Sequence, residues 1–299
     1  MYTVRFAAYG APSVLTLQET APPEPGRGQV RVAVKAAGVT PFDVKVRSGA
    51  VRPGPLPRGL GSEVAGTVDA LGEDITDTAV GGAVAGWAVT GGYAQYALVE
   101  TYAAKPESLD WAQAAALPVA GEAALRGLRE LAPRTGETLL VHGASGTVGM
   151  IAVQFAVADG VTVIGTAGEA HLERVRDLGA TPVAYGRGLA DRVRRVAPHG
   201  VDAVLDAAGH GVLADAIALR GGTAERVLTL ADETAHESGV RFSSGGAQGR
   251  TPQVLRTLMD ALARGRLVLP EPRLMSLADA ARAHAELEAR GSGKIVLIP

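Results

Sequence analysis

Three glycines recur at a spacing of three in Val141-His142-Gly143-Ala144-Ser145-Gly146-Thr147-Val148-Gly149. Their chemistry is anion binding by backbone. The first glycine permits a tight turn, the second lets the main chain approach a pyrophosphate, and the third lets a helix pack closely on a strand. The loop needs a strand before it and a helix after it, so that the helix N-terminus faces the negative charge. Thr138 to Val141 is an apolar run that reads as a short buried strand, and Met150 to Ala156 reads as a helix. In that setting Gly143, Ser145, Gly146, Thr147, Val148 and Gly149 are candidate dinucleotide contacts.

The next strand, Val161 to Gly165, selects the cofactor. An acid at its end would bind the ribose 2′-hydroxyl of NAD. Thr166 and small residues stand there instead, and His171, Arg174 and Arg176 follow. A 2′-phosphate is tolerated by Thr166 and His171 and pairable by Arg174, which favours NADPH, although Glu169 counts against it. Arg174 reads equally as a solvated helix face, and Arg176 reads better that way. Asp206-Ala207-Ala208-Gly209 ends a later strand, so the backbone at Ala207 should approach the cofactor ribose.

The elements around the loop alternate. Strands are expected at 138–141, 161–165, 182–184, 203–205 and 226–230, with helices near 147–159, 169–178, 189–197 and 211–219. That βαβα rhythm implies an α/β fold with a doubly wound parallel sheet. Residues 1 to about 110 differ. Short alternating runs such as Gln29 to Ala36 sit between Pro/Gly clusters and read as β. Helices at 251–264 and 277–290 precede a last strand, 293–298, that should rejoin the first domain. The division expected is a β-rich domain over 1–115 completed by 265–299, and a Rossmann domain over 116–264.

Bulk properties exclude other classes. The chain has 299 residues, 47% hydrophobic, with net charge −2 and no Lys/Arg run, so a nucleic-acid partner is not expected. It has no cysteine, which removes disulfides, thiolate nucleophiles and cysteine zinc sites. Its longest apolar stretch is too short to span a bilayer. Met1 to Tyr9 lacks the apolar core of a signal peptide, so a cytoplasmic protein is expected. The six histidines (142, 171, 199, 210, 236, 284) show no metal-ligand spacing. A short-chain dehydrogenase needs Tyr-x-x-x-Lys, and no tyrosine here has Lys four residues later.

Several segments together resemble the medium-chain dehydrogenase/reductases, in their zinc-free quinone oxidoreductase-like branch. They include Lys35 to Asp43, Arg47-Ser48-Gly49, Leu60 to Val68, Ala114 to Gly121, the Gly143–Gly149 loop, Leu178-Gly179-Ala180, Val201 to Asp206 and Gly293 to Leu297. The resemblance implies a GroES-like β-rich catalytic domain beside the Rossmann domain. Zinc-dependent members carry a cysteine after the Gly38-Val39 pair and a histidine before Glu63; this chain has Thr40 and Ser62, so no metal is expected.

The implied activity is NADPH-dependent hydride transfer to a quinone or an α,β-unsaturated carbonyl, whose negative charge delocalises to a distant oxygen without a Lewis acid. By the same resemblance Thr40 and Asp43 lie near the nicotinamide, Tyr185 by the adenosine phosphate, and Phe242, Ser243 and Ser244 over the nicotinamide. Thr40 departs from the family asparagine. Lys45 would donate to an enolate oxygen if it points inward. Glu122 departs too, standing where relatives carry an apolar residue. Relatives pair as homodimers along the Rossmann sheet edge, here near Val240 to Ser244. Two alternatives stay open: an enoyl-thioester reductase of polyketide or fatty-acid synthesis, and a non-catalytic NADPH-binding protein.

Overall fold

The computed structural model describes residues 1–299 except 53, 210, 291 and 292, and not the side chain of residue 290; His210 of the histidine set therefore lies outside the described residues. In chain order the elements are β1 (Tyr2–Phe6), β2 (Thr16–Glu19), β3 (Val30–Val39), α1 (Pro41–Ser48), β4 (Arg58–Gly59), β5 (Glu63–Leu71), β6 (Ala83–Ala88), β7 (Tyr96–Ala104), α2 (Trp111–Ala115) and α3 (Pro118–Leu131). There follow β8 (Thr138–His142), α4 (Thr147–Ala158), β9 (Thr162–Ala167), α5 (Leu172–Asp177), β10 (Thr181–Ala184), α6 (Leu189–Val196), β11 (Ala203–Asp206), α7 (Leu213–Leu219), β12 (Val227–Thr229) and β13 (Arg241–Phe242). The last are α8 (Pro252–Ala263), β14 (Arg273–Ser276), α9 (Ala280–Arg290) and β15 (Ile295–Ile298).

Two compact units result. The first is Met1–Val119 with Arg250–Arg266 and Pro270–Pro299; the second is Ala120–Gly249 with Leu267–Leu269. The strand–helix rhythm assigns α8 to the Rossmann domain, but α8 groups instead with the first unit, where its buried Leu255, Leu258 and Met259 accompany packing on β6 and β7.

The first unit is built on a six-stranded sheet in the order β14-β15-β3-β5-β6-β7. Strand β3 also pairs with β7, so β3, β5, β6 and β7 close on themselves. The alternation in β3 explains the inward face: Val30, Val32 and Val34 are buried while Lys35 is exposed. They join Phe6, Val64, Val68, Tyr93 and Leu297 in one core. The expected return of the last strand is seen, since β15 pairs antiparallel with β3, Ile295 opposite Val39.

The second unit is a parallel sheet in the order β10-β9-β8-β11-β12-β13. Numbered from β8, this is the 3-2-1-4-5-6 order of a doubly wound sheet. Leu139, Leu140 and Val141 are fully buried in succession, as a central strand covered on both faces requires. The order reverses between β8 and β11, and the carboxyl ends of those strands form the crevice where such sheets bind ligands. Among the described residues no helix is long and apolar enough to cross a membrane.

Candidate functional site

The glycine loop occupies that crevice. Gly143 has φ +76°, a conformation that a Cβ disfavours. Gly149 is required for space: a Cβ there would stand 2.2 Å from the Gly143 carbonyl oxygen and 2.7 Å from Ala144 Cα. Gly146 is the N-cap of α4 and offers no side-chain cap. The first-turn N–H groups at Thr147 and Val148, which no helix carbonyl can reach, are therefore available to an anion. Ser145 to Val148 are all half-buried, the exposure of a cradle wall.

Thr166 is not part of that wall. It is 2% exposed, its Oγ1 accepts the Gly143 N–H at 3.3 Å, and it stands 3.2 Å from His142 Nδ1. Its carbonyl accepts the Ala144 N–H at 2.9 Å. The expected cofactor contact is thus a brace behind the loop, because the β pleat turns this side chain inward. His142, whose motif position was plain but whose role was not, completes the brace. Burial pushes its pKa down to about 4 against the opposing pull of Asp206 and Asp215, so it is neutral near pH 7. The sequence reading also missed the task of Asp206. Its carboxylate accepts the N–H groups of Ala208 and Gly209 at 2.9 and 3.0 Å and the Thr229 hydroxyl at 2.7 Å. This fixes the turn after β11 that carries Ala207, whose own N–H donates to the His142 carbonyl at 3.1 Å.

At the carboxyl end of β9, Ala167 and Gly168 carry no acid, and the exposed Tyr185 lies against Gly168, its hydroxyl 3.3 Å from where a Cβ would stand. His171 is half-buried and Arg174 exposed on α5. Arg176 is paired with Glu173 at 2.5 Å, the solvated face expected of it. Beyond β13 the segment is less uniform than expected. Phe242 packs on the core of the unit and Ser244 is exposed, but Ser243 is buried. The Ser243 hydroxyl donates to Glu130 at 2.8 Å and accepts from Arg126, so it faces α3.

In the first unit Thr40, Asp43 and Ser62 form a closed knot. Thr40 is the N-cap of α1 in a reciprocal capping box with Asp43. Asp43 Oδ2 accepts from the Thr40 hydroxyl at 2.7 Å and the Thr40 N–H at 2.9 Å, and Oδ1 accepts from Ser62 at 2.7 Å. Burial pushes the Asp43 pKa up, while the hydrogen bonds from Thr40 and Ser62 pull it down. Both were expected to serve catalysis. Asp43 is wholly buried, and the Thr40 hydroxyl proton is committed to it, leaving none for a substrate oxyanion. Lys45 lies half-buried on the same short helix. Beside the knot Glu63 pairs with Lys294 and accepts the Val119 N–H at 2.7 Å.

Comparison with known proteins now places the chain. It matches the alcohol dehydrogenase GroES-like domain over residues 26–107 and the zinc-binding dehydrogenase domain over residues 147–259. A quinone oxidoreductase of Pseudomonas aeruginosa is 34% identical, the match covering 99% of each chain. The chain belongs to the quinone oxidoreductase branch of the medium-chain dehydrogenase/reductases, a family of oxidoreductases. A solved Escherichia coli quinone oxidoreductase complexed with NADPH superposes with TM-score 0.89 at 26% identity over 100% of both chains. A pikromycin polyketide synthase component of Streptomyces venezuelae is 43% identical over 54% of this chain, which spans 4% of that protein.

The second of those family descriptions implies zinc, and the donor set does not fit it. A catalytic zinc takes three ligands from His, Cys and carboxylate. Here the chain has no cysteine, and Thr40 and Ser62 are hydrogen-bonded to Asp43. Among the described residues no group of three or more His, Asp or Glu could hold a metal.

Proposed function

We propose that the protein is an NADPH-dependent reductase that passes hydride to a quinone or an α,β-unsaturated carbonyl without a metal. The glycine cradle at the sheet's reversal point carries the reading, because Gly149 has room for backbone and nothing else. The whole-length likeness to a quinone oxidoreductase, and to one complexed with NADPH, supports it. Ser145, Gly146, Thr147 and Val148 hold the pyrophosphate, with Gly143 and Gly149 shaping the turn. Tyr185 lies by the adenosine phosphate, and His171 and Arg174 face the 2′-phosphate. Ala207, Phe242 and Ser244 border the ribose and the nicotinamide.

Bound there, NADPH supplies the hydride. The protein's residues orient it and exclude water; the acceptor spreads the incoming charge through its conjugated system. Thr40 and Asp43 shape the first unit's contribution, and Lys45 is the proposed donor to the enolate oxygen. A homodimer joined along the β13 edge and a cytoplasmic location belong to the same reading.

The polyketide synthase relative favours a second reading, an enoyl-thioester reductase. NADPH oxidation measured against quinones, simple enones and a crotonyl thioester separates the readings. Turnover of quinone or enone, unchanged by a strong chelator, is expected. Turnover confined to the thioester selects the second reading. Tight NADPH binding with no turnover of any acceptor sinks both and leaves a non-catalytic NADPH-binding protein.

A further inference from the structure

One buried ion pair in the second unit is not explained by the loop or the sheet. Glu122 and Arg126 stand one turn apart on α3, 6% and 8% exposed, with Arg126 Nε donating to Glu122 Oε1 at 2.9 Å. Arg126 Nη1 donates onward to the Ser243 carbonyl at 2.7 Å and to the Ser243 hydroxyl. Ser243 in turn donates to Glu130, and Arg241 pairs with Glu130 at 3.0 Å. The far end of the same segment rests on the other member of the pair. A Cβ on Gly249 would stand 2.0 Å from Glu122 Oε1 and 2.9 Å from its Cδ. Between those ends, a Cβ on Gly245 would lie 3.5 Å from Arg126 Nη2 and 3.6 Å from Glu122 Oε2.

We propose that Glu122, acting through Arg126, is a positioning residue that fixes segment 243–249 against α3 and so sets the nicotinamide end of the cofactor site. Three observations converge on this. The segment leaves the carboxyl end of β13, the side on which a parallel sheet binds its ligand. Both of its ends are held by one ion pair, while residues 244–248 between them are exposed. A buried ion pair also carries a desolvation cost that a packed apolar pair avoids, so the pair does not serve stability alone. With the pair intact, the run from Ser244 to Gln248 is presented as a taut strap of small residues. Without it the strap keeps its hold at Ser243, through Glu130 and the Thr229 carbonyl, and its chain connections to β13 and α8, but loses its far anchor at Gly249. The inference rests on the NADPH-binding reading for its consequence, though not for the anchoring itself.

The test uses Glu122→Gln, Glu122→Leu and the double variant Glu122→Leu/Arg126→Leu, with two measurements on each. One is NADPH affinity by fluorescence titration, alongside kcat and KM for the best acceptor. The other is the rate of tryptic cleavage after Arg241 and Arg250, which flank the strap. Glu122→Gln keeps the acceptor for Arg126 and should match the parent. Glu122→Leu should weaken NADPH binding about tenfold and speed cleavage, a loss of one anchoring interaction. The double variant should regain thermal stability, because no charge is left unpaired, yet keep the weak binding and fast cleavage. Recovery of affinity and protection together in the double variant would overturn the proposal, as would unchanged values in Glu122→Leu. If the parent itself fails to bind NADPH, the functional reading falls, and the cleavage rates alone decide whether the pair anchors the strap.

Discussion

At Thr40 the hydroxyl already has an acceptor, and that acceptor takes two further hydrogen bonds. Asp43 is held by the Thr40 hydroxyl, the Thr40 N–H and Ser62, so the knot behaves as one unit. Thr40→Val removes the N-cap of α1 and should cost about 1 kcal/mol of stability in urea denaturation while leaving NADPH affinity unchanged. Asp43→Asn places an amide donor against two hydroxyl donors and should cost about 3 kcal/mol, since buried donors lose their acceptor. A Thr40→Val variant that folds normally but binds NADPH poorly would return Thr40 to the cofactor site. Residue types pointed to these positions, but not to their roles. A hydroxyl near a carboxylate reads the same in sequence whether its proton faces the substrate or its neighbour. Arg174 is exposed on α5, which suits a solvated face and a 2′-phosphate contact alike, so substitution decides between them. Arg174→Ala should raise the Kd for NADPH about tenfold, the worth of one charge-assisted contact, with NADH affinity little changed.

Among the elements, the Rossmann strands were legible because apolar runs in a central parallel strand are continuous and bounded by glycine. The strands β8 and β11 fall within a residue or two of their expected limits. Edge elements were not. Strand β14 has one buried residue in four, so it offers no period to read. The grouping of α8 was equally hidden, because its amphipathic face says that it packs and not on what. The loop–helix junction is where one atom decides an element. Gly149→Ala drives a methyl into the Gly143 carbonyl, a rigid backbone atom, and α4 must shift away. NADPH affinity should fall at least a hundredfold by titration, with helicity by circular dichroism nearly unchanged; an affinity within about threefold of the parent would refute the cradle.

For the whole molecule, two buried histidines set an acid limit. His142 lies in the second unit and His284 in the first, each with its pKa pushed down to about 4 mainly by burial, His284 also by Arg47. A folded-state pKa below the unfolded value of about 6.5 means that the unfolded chain binds protons first as pH falls. Their contribution is whole above pH ~6.5, declines through the window down to pH ~4, and near pH 5 amounts to about 2 kcal/mol lost per histidine. Replacing His284 with Phe should therefore narrow the gap between urea stabilities at pH 7.5 and pH 5 by about that amount. An unchanged gap would show that His284 titrates normally in the folded state.

The pairing of β15 with β3 has a consequence for synthesis. The second unit is almost one continuous stretch, Ala120–Gly249, so it can fold as soon as that stretch clears the ribosome. The first unit begins earlier in the chain but cannot finish, because the Glu63 carboxylate waits for Lys294, 231 residues away, and the open side of β3 waits for Ile295 to Leu297. Until then a nascent β3 presents an unpaired edge, a site for chaperones or for misassembly between neighbouring chains. Stalled chains ending at residue 290, which free Gly249 from the exit tunnel yet lack β15, should therefore protect the glycine loop from protease while leaving β3 open to cleavage.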